Sequence, residues 1–336
     1  MSKPGWLLCC LVTEPSSASG TTPSARPSLP TLVEQGRGGM LLFGITPPKT
    51  STTVEDRARI AGITLQRLAH LDLDGLLLYD IDDESDRVTD DRPFPYLSTI
   101  DPAAYYVDHL GAWHKPVVLY RSVGKYGPDQ LGAWLDQTDP SQQLGVFVGA
   151  CSRDHVVRTT LRQAQQLRAD RQPDLALGAV MITERHTTRG DEHLRMLAKQ
   201  EAGCSFFVSQ VIYDIDGTRS VLSDYFYACA ERGIAPRPVI FTLAMCGSLK
   251  TLDFLQWLGI QVPRWLQNDL RYTDDPLHVS YAHCLHAAED LAAFCRRLGI
   301  PYGFNVESVA IRKAEIEAAV ELAGNLRPLL NGSSRR

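Results

Sequence analysis

The sequence predicts a protein of α/β class, a single (β/α)8 TIM barrel over residues 40–325 with a helical insert between strands 7 and 8. Three observations carry this. Eight short apolar runs recur between Met40 and Ser308, and amphipathic stretches of helical period alternate with them. Eight strand-and-helix units over roughly 290 residues suit the length of such a barrel. No glycine-rich GxGxxG turn follows any run, which disfavours a doubly wound dinucleotide-binding sheet of the same alternation.

The runs are MLLFGIT (40–46), GLLLYDI (75–81), PVVLYRS (116–122), GVFVGAC (145–151), LALGAVMI (175–182), CSFFVSQ (204–210), RPVIFTL (237–243) and YGFNVES (302–308). Most are apolar on both faces, as strands of a parallel sheet covered by helices must be. Helical stretches are expected at 53–70, 128–137, 155–169, 190–202, 218–232 and 248–258. The insert runs from about 248 to 298, and a final helix covers about 309–323. Residues 1–39 are rich in Ser, Thr, Pro and Gly without a helix or strand period, and are expected to be disordered. Met40 opens the first strand directly, which suggests an over-long start of the chain. Residues 326–336 are expected to form a flexible tail.

The formal net charge of −5 and pI near 6.0 come with no basic stripe, so a nucleic-acid partner is not expected. No apolar run approaches the ~20 residues that span a bilayer, so no membrane role is expected either. The eight cysteines form no CxxC pair and are scattered through predicted elements, which suits reduced thiols in a cytoplasmic protein. Monomer and homo-oligomer stay equally open.

Catalytic and binding groups of such barrels sit at the C-terminal ends of the strands. Those ends carry Thr46 and Lys49; Tyr79, Asp80 and the acidic run to Glu84; Tyr120, Arg121 and Ser122; Arg153, Asp154 and His155; Glu184, Arg185 and His186; Gln210; Thr242 and Cys246; and Asn305, Glu307 and Ser308. The acids suit proton transfer, and the bases suit an anionic substrate or cofactor. No metal is expected: His283 and His286 have no acidic partner, and DIDDESD (80–86) lacks the glycine and spacing of a calcium loop.

Four segments resemble the methylenetetrahydrofolate reductase family. GITPPKTST (44–52) resembles its first strand-to-helix turn, and TERH (183–186) the Pro-Glu-x-His turn after its fifth strand. LAKQEAGCSFFVSQVIYD (197–214) resembles its Lys-x-x-x-Ala-Gly helix end and the strand that closes in Gln. SLKTLDFLQWLGIQVPRWL (248–266) resembles the helix and IPxW segment after its seventh strand. The resemblance implies a TIM barrel that reduces 5,10-methylene-tetrahydrofolate to 5-methyl-tetrahydrofolate with NADH or NADPH, usually through bound FAD. It places Gln210 on the pterin of the folate substrate and Lys199, Glu184 and His186 around the cofactor. Tyr79, Arg153, Asp154 and Tyr213 are further candidates for the substrate, and Lys49 and Arg121 for the cofactor.

Two departures bear on FAD. The family's first strand carries an acidic glutamate where this chain has Gly44. Its Leu-Arg-Gly-Asp after strand four is here FVGACSRD (147–154), with Arg153 and Asp154 a few residues late. The chain is therefore more similar to the family's flavin-independent branch found in actinobacteria, with direct hydride transfer from the nicotinamide. Glu184, Asp80 and Glu307, in falling order, are the expected replacements for the missing acid. A FAD-dependent reductase and a non-catalytic folate-binding barrel are the alternatives.

Overall fold

All eight apolar runs form strands, in a computed structural model that describes residues 26–83, 92–149 and 156–331. They are β1 (Met40–Ile45), β2 (Gly75–Leu78), β3 (Val117–Ser122), β4 (Gln143–Val148), β5 (Leu177–Met181), β6 (Phe206–Val211), β7 (Val239–Ala244) and β8 (Tyr302–Glu307). Each pairs in parallel with its neighbour in sequence, and β8 closes on β1. The fold is the expected single (β/α)8 barrel.

Each strand buries both faces in different company. Leu41 and Phe43 of β1, Leu76 and Leu78 of β2, and Phe241 and Leu243 of β7 pack outward against the helices. Met40, Leu42, Leu77, Val118, Val146, Phe206, Val208 and Ile240 fill the interior. Gly178 is required there: a Cβ would come within 2.4 Å of the Phe206 ring.

The helices following β1 to β4 are α2 (Val54–Leu68), α3 (Pro102–His109), α4 (Pro128–Gln137) and α5 (Leu161–Arg171). Thr53, Asp101 and Thr160 cap α2, α3 and α5 through side-chain oxygens that accept backbone N–H groups. After β5 come α6 (Thr183–Arg189) and α7 (Glu192–Glu201), divided by Gly190 at φ 69°, and after β6 comes α8 (Ile215–Glu231). The insert between β7 and β8 is three helices, α9 (Leu249–Trp257), α10 (Arg264–Tyr272) and α11 (Pro276–Leu298).

Both chain ends depart from expectation. Leu29–Glu34, inside the stretch read as disordered, is helix α1, and its Leu29, Leu32 and Val33 are buried with the barrel-interior residues Met40 and Leu42. The QGRGG turn leads from α1 into β1. Gly36 and Gly39 take positive φ, and a Cβ on Gly38 would lie 2.5 Å from the Tyr302 backbone nitrogen. The last helix, α12 (Lys313–Asn331), runs past the expected boundary at 325. Its Arg327 reaches the carboxylate of Asp74 at 3.0 Å, and that carboxylate accepts the Leu41 N–H and pairs with Arg26 at 3.2 Å. One buried aspartate thus ties both ends of the described chain to the bottom of the barrel.

The five cysteines among the described residues are all buried and free. Burial pushes the thiols of Cys204, Cys246 and Cys284 up, to about 11, 12 and 12, so they act as small core residues. Among the described residues no helix is long and apolar enough to cross a membrane.

Candidate active site at the barrel mouth

Side chains alternate along a strand, so the interior set of each strand also fixes which end residue faces the mouth. In β2, Leu77 faces inward, and Tyr79 just beyond the strand follows it. In β3, Val118 and Tyr120 face inward, and in β8 Asn305 and Glu307 share a face. These residues meet. The Asn305 Nδ2 donates to the Tyr79 hydroxyl at 3.0 Å and lies 3.4 Å from Thr242 Oγ1. The Tyr79 and Tyr120 rings stand 5.0 Å apart at 59°.

Glu307 lies beside this group with 9% of its surface exposed. Its Oε2 is buried without a hydrogen-bond partner, and so is Oδ1 of Asn305. Burial pushes the Glu307 carboxyl up to about 7, and the Tyr79 hydroxyl and Asn305 amide offset this only in part. Burial and the nearby Glu307 raise the phenols of Tyr79 and Tyr120, which stay neutral. The site therefore offers an acid poised near neutrality, a carboxamide and two phenols.

Gly44 explains where the acid sits. A Cβ built on it would lie 3.0 Å from both Cβ and Oε2 of Glu307 and 3.1 Å from the Tyr79 ring. The carboxyl of β8 occupies the space that a side chain on β1 would need.

The other two expected acids are placed differently. Asp80 has the opposite strand phase from Tyr79. Its carboxylate pairs with Lys125 at 2.6 Å and accepts from the Ser122 N–H and the Tyr126 hydroxyl at 2.8 and 2.9 Å, which makes it a tie between loops. Glu184, on α6, accepts the Gln261 N–H at 3.2 Å, while its Oε2 is buried without a partner. Burial raises its carboxyl pKa too. Beside Gln261 an open groove of about 550 Å³ is lined by Asp214, Gln256, Gln261 and Gln267, among others.

Gln210 lies at an irregular step of β6, where the register shifts between Val208 and Val211 and Val211 pairs with Thr242. Its Nε2 donates to the Leu258 carbonyl at 3.2 Å, so part of its amide holds the α9–α10 turn over the mouth. Tyr213 points away: its hydroxyl contacts the Ala244 carbonyl and Ser280, and its ring stacks on His283 in the outer helical layer. Arg153 and Asp154 lie outside the described residues.

The expected cofactor residues each have contacts within the protein. Arg121 has the outward phase of β3; it pairs with Asp101 and lies between the rings of Tyr126 and Trp134, at 5.0 and 4.5 Å. Lys199 donates to the Val180 carbonyl at 2.5 Å and reaches Glu192 at 3.3 Å. His186 pairs with Asp224 at 3.2 Å. Lys49 is exposed, in a bridge with Thr99.

Residues 92–100 border the Glu307 side of the mouth. The Arg92 guanidinium lies over the rings of Tyr96, Phe254 and Trp257 at 5.4, 5.5 and 5.0 Å, joining the connection after β2 to α9 after β7. The strands between them in the barrel are β1 and β8, which carry Gly44 and Glu307. Tyr120, Thr242 and Asn305 are mouth residues for which the sequence offers no role beyond their place at strand ends. Their signal was strand phase.

The fold and site define a (β/α)8 barrel with a buried acid at its mouth. The chain is similar over most of its length to a solved structure from Clostridium thermocellum, described as an uncharacterized protein that binds two copies of 5-methyl-5,6,7,8-tetrahydrofolic acid. Identity is 39% and the TM-score 0.78, covering 89% of this chain and 98% of that one. The chain belongs to the same family as that protein. A xylanase, XynB from Paenibacillus barcinonensis, is 13% identical with a TM-score of 0.46 over 85% of this chain and 88% of its own. No family model and no curated protein matches the chain.

Proposed function

We propose that the chain reduces 5,10-methylene-tetrahydrofolate to 5-methyl-tetrahydrofolate, taking hydride directly from NADH or NADPH. The observation that carries this reading is Glu307: a buried acid, pushed up to about 7, in the space above Gly44. The family that the sequence resembles carries its acid at the position of Gly44, so the proton donor has moved from β1 to β8. The binding of two copies of 5-methyl-tetrahydrofolate by the Clostridium thermocellum relative supports a folate ligand.

In this reading Glu307 protonates the bridging amine of the folate, and the five-membered ring opens to an iminium. The carboxylate left behind stabilises that cation in a poorly solvated site. Hydride then passes from the nicotinamide to the exocyclic carbon, giving the methyl group and oxidised nicotinamide. Solvent returns the proton to Glu307, so one reduced nicotinamide and one proton are consumed per turnover. Tyr79 and Tyr120 offer an aromatic wall to a flat ring, and Asn305 and the remaining amide atoms of Gln210 offer donors and acceptors to a pterin edge. Lys199, His186 and Arg121 have internal partners, which supports a route without flavin.

A second reading, a folate-binding barrel without reductase activity, is supported by the same relative, which binds 5-methyl-5,6,7,8-tetrahydrofolic acid. One experiment separates the two. The purified protein, its absorbance checked for flavin, is mixed with NADH and methylene-tetrahydrofolate. Folate-dependent loss of NADH without flavin is expected, falling about 10²- to 10⁴-fold in Glu307→Gln. Folate binding with no oxidation of NADH or NADPH leaves the binding protein, and activity only after adding FAD restores a flavin route. An unchanged rate in Glu307→Gln removes Glu307 as the acid.

A further inference from the structure

Three side chains that the barrel mouth does not use come together on the outer helical layer. His186 lies on α6, His193 on α7 and Asp224 on α8. The left-handed turn at Gly190 folds α7 back beside α6, so two histidines seven residues apart become neighbours. Their rings meet edge to face, with centroids 5.4 Å apart at 81°. Asp224 Oδ2 is 3.2 Å from His186 Nε2. One potential ligand atom from each residue lies within 4.8 Å of the other two. Nδ1 of both histidines is buried without a hydrogen-bond partner.

We propose that His186, His193 and Asp224 bind a divalent transition-metal ion of the zinc type. Two imidazoles and one carboxylate are the borderline donor set that such ions take, and three protein ligands leave a fourth position for water. Tetrahedral bonds of about 2.0–2.1 Å place donor atoms roughly 3.4 Å apart. The His186–Asp224 pair already meets that spacing. The Asp224 side chain is about half exposed, which leaves it room to adjust and leaves a path for the ion. A neutral imidazole presents a lone pair on one ring nitrogen, so each histidine can give the ion one donor atom. The neighbouring Glu192 is held by Arg185 and Lys199, so it is not counted as a fourth ligand. The site is not legible in the sequence, because its residues come from three helices and form no spaced motif.

The site lies outside the reducing site, so its test needs no turnover. Tag-free protein, stripped with chelator and dialysed, is titrated with Co²⁺ alone, with Zn²⁺ then added in competition. The expected result is one Co²⁺ per chain with the intense visible bands of four-coordinate cobalt, displaced by Zn²⁺. His193→Ala and Asp224→Asn should each weaken binding at least about tenfold while keeping the far-ultraviolet circular dichroism of the parent. Zn²⁺ should raise the melting temperature of the parent and not of either variant. Only the pale spectrum of hydrated cobalt in the parent, or equal affinity in parent and His193→Ala, overturns the proposal.

Discussion

Glu307 carries opposite consequences for catalysis and for stability. Its carboxyl is raised from an ordinary value of 4.5 to about 7 because folding buries it. The folded chain therefore holds this proton more tightly than the unfolded chain does. The contribution to stability is complete below the unfolded value and is lost as pH rises through about 7, by roughly 3 kcal/mol. Glu307→Gln removes the titration. Its melting temperature should exceed that of the parent at pH 8, with the gap closing by pH 5; a gap independent of pH would mean that the carboxyl is not so perturbed. Activity through this acid should also fall as pH rises past about 7, provided proton transfer limits the rate. Gly44 is the other half of this arrangement. Gly44→Ala presses a methyl group to 3.0 Å from the Glu307 carboxyl, so it should cost about 1–3 kcal/mol and most of the activity. Combining Gly44→Glu with Glu307→Gly returns the acid to β1. That pair should recover part of the rate lost in Glu307→Gly alone, and no recovery would separate the two positions functionally.

At the scale of elements, all eight strands were legible because each is a short apolar run bounded by polar or glycine residues. Their phase was harder to read for the same reason: a strand that is apolar on both faces does not show which residues face the barrel axis. Asp80 and Arg121 stand at strand ends but are one step out of phase with Tyr79 and Tyr120, so their place in the run does not bring them to the mouth. β8 did show its phase, since in YGFNVE the small and polar residues Gly303, Asn305 and Glu307 alternate with the outward Tyr302, Phe304 and Val306. Lys199 and His186 illustrate a different limit. A motif locates a residue on its element, but its partners come from elements distant in sequence. Glu192, fully buried, accepts the Ile182 N–H at 3.1 Å and pairs with Arg185 and Lys199 at 3.0 and 3.3 Å, joining α6 and α7 to β5. Burial lowers the Lys199 pKa, and Glu192 is the largest influence acting against that. Glu192→Gln leaves two half-buried cations without their buried anion and should cost up to about 3–5 kcal/mol by urea unfolding. A loss below 1 kcal/mol would show that Arg185 and Lys199 find water instead.

At the scale of the whole molecule, the barrel has a chemical end and a structural end, and only the first was expected to matter. The bottom is closed by α1, from a stretch whose Ser, Pro and Gly content reads as disorder. A helix of six residues spans less than two turns, too short to show a hydrophobic period. Leu29, Leu32 and Val33 nevertheless close the interior beneath Met40 and Leu42, and Asp74 fastens this end to Arg26 and Arg327. The interior layers stack from α1 up to Asn305 and Glu307, so a cavity at the bottom removes support from the layers above it. Leu32→Ala should lower stability by about 2–5 kcal/mol, the usual cost of a buried leucine truncation that leaves a cavity. If the layers act as one packed column, the same variant should also lower the affinity for folate, although Leu32 lies at the opposite end from the mouth. Unfolding in urea measures the first effect and folate titration of the folded variant the second. A loss of stability with unchanged affinity would show that the mouth is held by its own loops, chiefly the Asp80–Lys125–Tyr126 tie and the Arg92 contacts with α9, independently of the plug below.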